Sequence, residues 1–163
     1  HAAPHHIPVA DKFLGDPGLA QDGLHGDFIE ALRAFAPQAI WRETYKDTEI
    51  GPLFRESFGC YELIGKDGPF RSETMRGFIV YMPPGLWYPY HRHPSQELYY
   101  VLAGDAEFSV RADVERLGPG EKAYHGSMIP HALETKDSPV LAWVLWRGPD
   151  FGTAPVLCGR DDP

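Results

Sequence analysis

Gly85-Leu86-Trp87-Tyr88-Pro89-Tyr90-His91-Arg92-His93-Pro94-Ser95-Gln96-Glu97-Leu98-Tyr99-Tyr100-Val101-Leu102-Ala103-Gly104 is the stretch that decides how this chain is read. Its skeleton is G-x5-H-x-H-x3-E-x6-G. Side chains two apart on a strand point to the same face, so His91 pairs with His93 and Glu97 with Tyr99. All four share one parity, provided Pro94 does not bend the strand between the pairs. Two imidazoles and a carboxylate on one wall make a metal site that needs a ligand from elsewhere. His131, preceded by Pro130 and followed by an apolar, strand-like run, can supply it. A single histidine is more often an ordinary core or surface residue. Three histidines and a glutamate at this spacing favour metal.

Composition sets outer limits. With 163 residues the chain holds one domain with a substantial core. The formal net charge of −8 and the absence of a Lys/Arg run argue against nucleic acid, whose phosphates would be repelled. No apolar run approaches membrane-spanning length and no signal-peptide pattern is present, so no membrane partner is expected. Cys60 and Cys158 form at most one disulfide, and so few cysteines suit a reduced, cytoplasmic protein.

Organisation changes once along the chain. Residues 1–25 are rich in His, Pro, Gly and Ala and read as an arm or loosely packed start. Asp27-Phe28-Ile29-Glu30 has the form of a helix N-terminus, with Phe28, Ala31, Leu32 and Phe35 on one stripe and Pro37 ending the run. Residues 39–46 are expected to form a second short helix. Residues 1–46 are thus an N-terminal arm and helical extension whose stripe packs on the wall of a β domain spanning 47–163. In that domain the best strand candidates are Arg76–Met82, Glu97–Leu102, Ala106–Val110 and Val140–Trp146, separated by Gly/Pro/Asp turns. A central hairpin is expected to turn at Ala103-Gly104-Asp105. Many short strands at this spacing suggest a sandwich or barrel.

The site's neighbours narrow its chemistry. Imidazole and carboxylate donors fit one divalent transition metal ion, zinc, iron or manganese among them, with positions left open for water or substrate. An interior glutamate is costly unless paired, and a divalent cation pairs it. Tyr99, two residues beyond Glu97, points into the same cavity. A nearby cation would draw its phenol below the reference value of about 10, toward use as a base. Trp87, Tyr88 and Tyr90 precede the ligand pair, and Trp143 and Trp146 lie on the last long strand. Most such aromatics fill cores, yet together they can also make a cation-accepting pocket.

The skeleton resembles the first signature motif of the cupin superfamily at every fixed position. The second cupin motif, G-x5-P-x-G-x2-H-x3-N, is kept in spacing by Gly120-x5-Gly126-x-Met128-x2-His131-x3-Thr135. Gly126, Met128 and Thr135 replace the usual Pro, Gly and Asn. The resemblance implies a mainly β, jelly-roll barrel. The run from Tyr88 to Gly104, with Pro130-His131 and then Trp143 and Trp146, is similar to the cupin-type dimethylsulfoniopropionate (DMSP) lyases of marine bacteria. That likeness implies cleavage of a small sulfonium substrate, DMSP, to dimethyl sulfide and acrylate. It also implies His91, His93, Glu97 and His131 as metal cluster, with Tyr99 a further candidate for one coordination place at rest, Tyr99 as general base and Tyr88 as its assistant. Tyr88, Tyr90, Trp143 and Trp146 are the candidates for holding the sulfonium, in a monomer or homodimer. Two other classes stay open: a cupin iron dioxygenase, and a non-enzymatic cupin that binds a metabolite.

Overall fold

The computed structural model describes residues 3–19, 23–46 and 48–163. Three short helices come first, α1 (Val9–Gly15), α2 (Gly26–Phe35) and α3 (Pro52–Ser57), with a 3-10 turn over Ala36–Gln38. Ten strands follow: β1 (Gly59–Ile64), β2 (Met75–Met82), β3 (Trp87–Arg92), β4 (Gln96–Gly104), β5 (Ala106–Val110), β6 (Asp113–Leu117), β7 (Lys122–His125), β8 (His131–Glu134), β9 (Val140–Arg147) and β10 (Val156–Leu157). They form two five-stranded antiparallel sheets, ordered β1-β2-β9-β4-β7 and β10-β3-β8-β5-β6. Side chains from both sheets share one core, including Phe78, Val101 and Val144 from the first and Phe108, Leu117 and Leu133 from the second. The architecture is thus the expected mainly β jelly roll, built as two facing sheets.

All four strands expected from alternation are present, half of their ends as expected and the other half extended by one or two residues. The hairpin at Gly104 is not. β4 pairs with β7 and β9, whereas β5 pairs with β6 and β8, so the chain crosses between sheets at Asp105. A glycine-aspartate turn is compatible with either course. The partner decides: Gly104 sits opposite Val140 at the start of β9. Gly104 adopts φ +68°, and a Cβ there would lie 1.7 Å from the Pro139 carbonyl oxygen, so glycine is required.

Alternation divides the first sheet into two faces. On β2, Phe78, Val80 and Met82 point between the sheets, while Ile79 and Tyr81 point outward. The N-terminal segment covers that outer face. Far from being loose, it buries Ile7, Val9, Ala10, Phe13 and Leu19 there. In α2 the buried stripe is Ile29 and Leu32, continued by Ala36, with Phe28 and Phe35 half-buried; Ala31 is exposed. The stripe is rotated from the expected one because Ile29, not Ala31, faces the sheet.

Residues 39–46 are not a helix. The Ala39 amide closes the turn after Pro37 on Ala36, and the chain then runs extended. Trp41 bridges Tyr61 of β1, and the Arg42 amide donates to the Cys60 carbonyl at 2.8 Å. The open edge of β1 offers these backbone groups partners, and covering it removes an exposed strand edge. Among the described residues no helix is long and apolar enough to cross a membrane, and Cys60 and Cys158 are free thiols.

Candidate metal centre and its pocket

Strand register assembles the site. His91 on β3 lies opposite His131 on β8. Glu97 on β4 has His125 of β7 on one side and Trp146 of β9 on the other. His93 follows β3, and its carbonyl accepts the Met128 amide at 2.9 Å, which ties the two motif loops together. His91, His93, Glu97, His125 and His131 are all at most 2% exposed.

The histidines are oriented by their far nitrogens. Nδ1 of His91, His93 and His131 lies 2.8, 3.0 and 2.8 Å from the carbonyls of Pro89, Ser95 and Ile129. A carbonyl only accepts, so each Nδ1 donates, and in the neutral ring Nε2 turns a lone pair inward. Nε2 of His93 and of His131 is buried without a hydrogen-bond partner. These lone pairs face another acceptor: His131 Nε2 is 3.1 Å from Glu97 Oε2, and His93 Nε2 is 3.5 Å from Oε1. Lone pairs aimed at a carboxylate repel unless a cation lies among them. The donor set therefore fits a metal ion. His91, His93 and His131 bring one ligand atom each within 4.8 Å of one another, as do Glu97, His125 and His131.

Charge states agree with that reading. Burial pushes His91 and His125 down from the ordinary histidine value, keeping them neutral. Burial works against the Glu97 charge, yet His131, His125 and His93 hold its carboxyl well below the usual carboxylate range. The set thus offers two neutral imidazoles, those of His91 and His125, beside one anion. Tyr99 goes the other way in the protein alone: burial, then the Glu97 charge, pushes its phenol well above the ordinary value.

A cavity of about 50 Å³ adjoins the cluster, lined among others by Tyr45, Phe78, Tyr88, Glu97, Tyr99 and Trp146. The Tyr88 ring stacks on His91 at 3.9 Å and its hydroxyl bonds that of Tyr45 at 2.7 Å. Trp146 lies 4.3 Å from the His93 ring, and its Nε1–H donates to Glu97 Oε1 at 2.6 Å. Tyr90 and Trp143 are not brought to the cavity. The Tyr90 hydroxyl donates to the Arg111 carbonyl, and Trp143 packs on Phe28 of α2. Trp143 and Trp146 differ in parity, so β9 presents only one of them to the interior. Trp87 is 42% exposed.

Sequence reasoning passed over His125 and Tyr45. His125 stands one residue before Gly126 of the second motif, but only the register with Glu97 reveals its place. Tyr45 lies in the extended segment once read as helix, at φ +58°, and reaches Tyr88 from there. The motif's departures are accommodated. Met128 takes φ +60° where the motif usually has glycine, and the buried Thr135 hydroxyl donates to the Pro83 carbonyl and accepts the Leu86 amide.

Residues 3–142 match the model of the dimethylsulfoniopropionate (DMSP) lyase family. The chain is 45% identical over 155 residues to dimethylsulfoniopropionate lyase DddQ of Ruegeria pomeroyi, covering 94% of this chain and 76% of that protein. The crystal structure of DddQ from Ruegeria pomeroyi superposes with a TM-score of 0.92 at 43% identity, covering 100% of this chain and 82% of the other. The DMSP lyase structure described for RdDddP and RnDddQII gives 0.90 at 38%, over 97% and 81%. A cupin-2 domain from Rhodospirillum rubrum, at 15% identity and TM-score 0.54 over 63% of this chain and 66% of its own, shares the fold.

Proposed function

This chain belongs to the dimethylsulfoniopropionate lyase family, and from that premise we propose that it cleaves DMSP to dimethyl sulfide and acrylate by a metal-dependent, base-catalysed β-elimination. The observation that carries the reading beyond family membership is the inward-facing set of unpartnered imidazole nitrogens around Glu97. His91, His93, Glu97 and His131 would hold one divalent transition metal ion, with zinc, iron and manganese the candidates. Such a cation supplies Lewis acidity toward a substrate carboxylate and lowers the pKa of a neighbouring phenol.

Tyr99 is the base. It needs that cation, because burial and Glu97 otherwise keep its phenol protonated. Its phenolate takes the proton from Cα of DMSP, the C–H electron pair becomes the Cα=Cβ bond, and dimethyl sulfide leaves Cβ with the C–S pair. Acrylate remains, and Tyr99 returns its proton to water. Tyr88 and Trp146 offer aromatic faces to the sulfonium; Tyr90 and Trp143 are turned away from it. The surrounding apolar walls, Phe58, Val80 and Val144 among them, limit water around the proton transfer. The free thiols suit a reducing, cytoplasmic setting.

The test is incubation of purified, metal-loaded protein with DMSP under anaerobic conditions, with headspace dimethyl sulfide and dissolved acrylate measured together. Equal amounts of both products are expected. Formation of dimethyl sulfide only in the presence of oxygen, or no turnover by fully loaded protein, would overturn the proposal.

A further inference from the structure

Glu97 is held by two N–H donors, one on each oxygen. Trp146 Nε1 donates to Oε1 at 2.6 Å, and His125 Nδ1 lies 2.6 Å from Oε2. The donors come from opposite neighbours of β4 in the sheet, β9 and β7, at the register position of Glu97 itself. A carboxylate gripped from both sides cannot rotate about its terminal bond. The lone pairs it has left are those facing His93 Nε2 and His131 Nε2.

His125 is set for this task rather than for packing. It is fully buried, its ring lies flat against that of His131 at 4.1 Å, and its Nε2 has no hydrogen-bond partner. A buried polar nitrogen left without a partner has a cost, which a leucine of similar volume would avoid. The Nδ1 contact to Glu97 is what the imidazole provides in return. We infer that His125 is a positioning residue for the metal centre: with Trp146 it fixes the Glu97 carboxylate so that its remaining lone pairs face His93 Nε2 and His131 Nε2, among which an ion would be held. This rests on the metal reading of the site and is independent of the substrate. It also gives Trp146 a second role, since its N–H serves the carboxylate while its face is turned to the cavity.

The experiment is a Zn(II) titration of chelator-stripped protein against a chromophoric competitor, on wild type, His125→Leu and His125→Asn. Leucine fills the site without a donor, while the asparagine amide places an N–H close to the position of Nδ1. Loss of a group that orients a ligand costs about 10–100-fold in metal affinity, so His125→Leu should weaken Zn(II) by that factor. His125→Asn should recover most of the loss, and its Co(II) absorption spectrum should match wild type where that of the leucine variant does not. Wild-type affinity in His125→Leu overturns the inference. So does equal weakening in both variants, which would make the ring, not its N–H, the essential feature. If His125→Leu fails to fold, His125→Ser, too short to reach Glu97, takes its place with the same expectation. Failure of the wild type to bind any Zn(II), Fe(II) or Mn(II) would instead overturn the metal centre itself, a result distinguishable from failure of the clamp.

Discussion

The two faces of the first sheet meet aromatic clusters put to different ends. Outside, Trp41, Tyr61, Tyr81 and Phe13 pack the N-terminal segment onto the sheet. Inside, Tyr88, Tyr99 and Trp146 sit beside four buried histidines and a carboxylate. Two outer polar groups have closed partners: Trp41 Nε1 donates to the Ala36 carbonyl and the Tyr81 hydroxyl to Asp16. The inner ones are left pointing at each other. One strand, β2 or β9, feeds both faces through alternate residues, so a single-residue change of parity separates stability from chemistry.

That separation predicts opposite signatures. The largest effect should come from the inner ligands. His131→Ala, Glu97→Ala and His93→Ala each remove a donor, so metal content and DMSP turnover should both fall to background while the sheets stay folded, and His91→Ala should behave likewise. Metal analysis, circular dichroism and headspace dimethyl sulfide read the three quantities. Full occupancy in the Glu97 and His131 variants would remove the ligand assignment. Next comes Tyr99→Phe, which keeps the ring against Phe108 and loses only the hydroxyl. Loss of a general base costs about 10²–10⁴ in rate, expected in kcat rather than KM, with metal content unchanged. A metal-loaded variant with near-wild-type kcat would eliminate Tyr99 as the base.

The outer face should answer in the other currency. Trp41→Ala removes a fully buried ring and should cost about 3–5 kcal/mol of stability. Its folded fraction, assayed well below the midpoint, should keep wild-type kcat. A fall in kcat matching that of Tyr99→Phe would show the two faces to be coupled and break the comparison.

What the sequence disclosed follows the same line. Local alternation exposed the strands of both faces, and two histidines and a glutamate at motif spacing pointed to most of the buried His/Glu cluster that could hold a metal ion. Pairing was hidden, because it is decided between residues far apart in the chain. Thus Glu97 opposite both His125 and Trp146 could not be read, nor could the passage of Gly104 from one sheet to the other. Residues 39–46 misled for a related reason: their backbone partners lie on β1, which no local pattern in that segment reveals. Parity did carry one unused clue. Trp143 and Trp146, three apart on one strand, cannot share a face.

The tryptophan pair therefore sharpens the comparison at a smaller scale. If the Trp146 face meets the sulfonium, Trp146→Leu should raise KM for DMSP several-fold to about thirtyfold, from a cation–π contact worth about 0.5–2 kcal/mol. Trp143→Leu, on the α2 side, should leave KM unchanged. Both are measured at saturating metal, since Trp146 also holds Glu97. Equal KM in the two variants would return Trp146 to the role of packing and positioning alone.

The smallest expected effect lies where the second motif departs from its usual glycine. Met128 adopts φ +60°, a conformation costing an L residue about 1–2 kcal/mol relative to the right-handed helical region. Its side chain is 40% exposed, so little burial offsets that strain. The amide is nevertheless engaged, donating to the His93 carbonyl at 2.9 Å, so the strained turn fixes the loop carrying a proposed metal ligand. Met128→Gly should relieve the strain while adding about 0.5–1 kcal/mol of unfolded-chain entropy, leaving a net gain of about 0–1.5 kcal/mol. For a chain of this size each kcal/mol raises Tm by roughly 2–4 °C, measurable by calorimetry on the metal-free protein. Metal affinity should not weaken, because the backbone bond to His93 is retained. A lower Tm would mean that Met128 contributes packing its exposure does not suggest. Weaker metal binding at unchanged Tm would mean that the methionine, by restricting the loop, holds His93 and His131 in place better than glycine can.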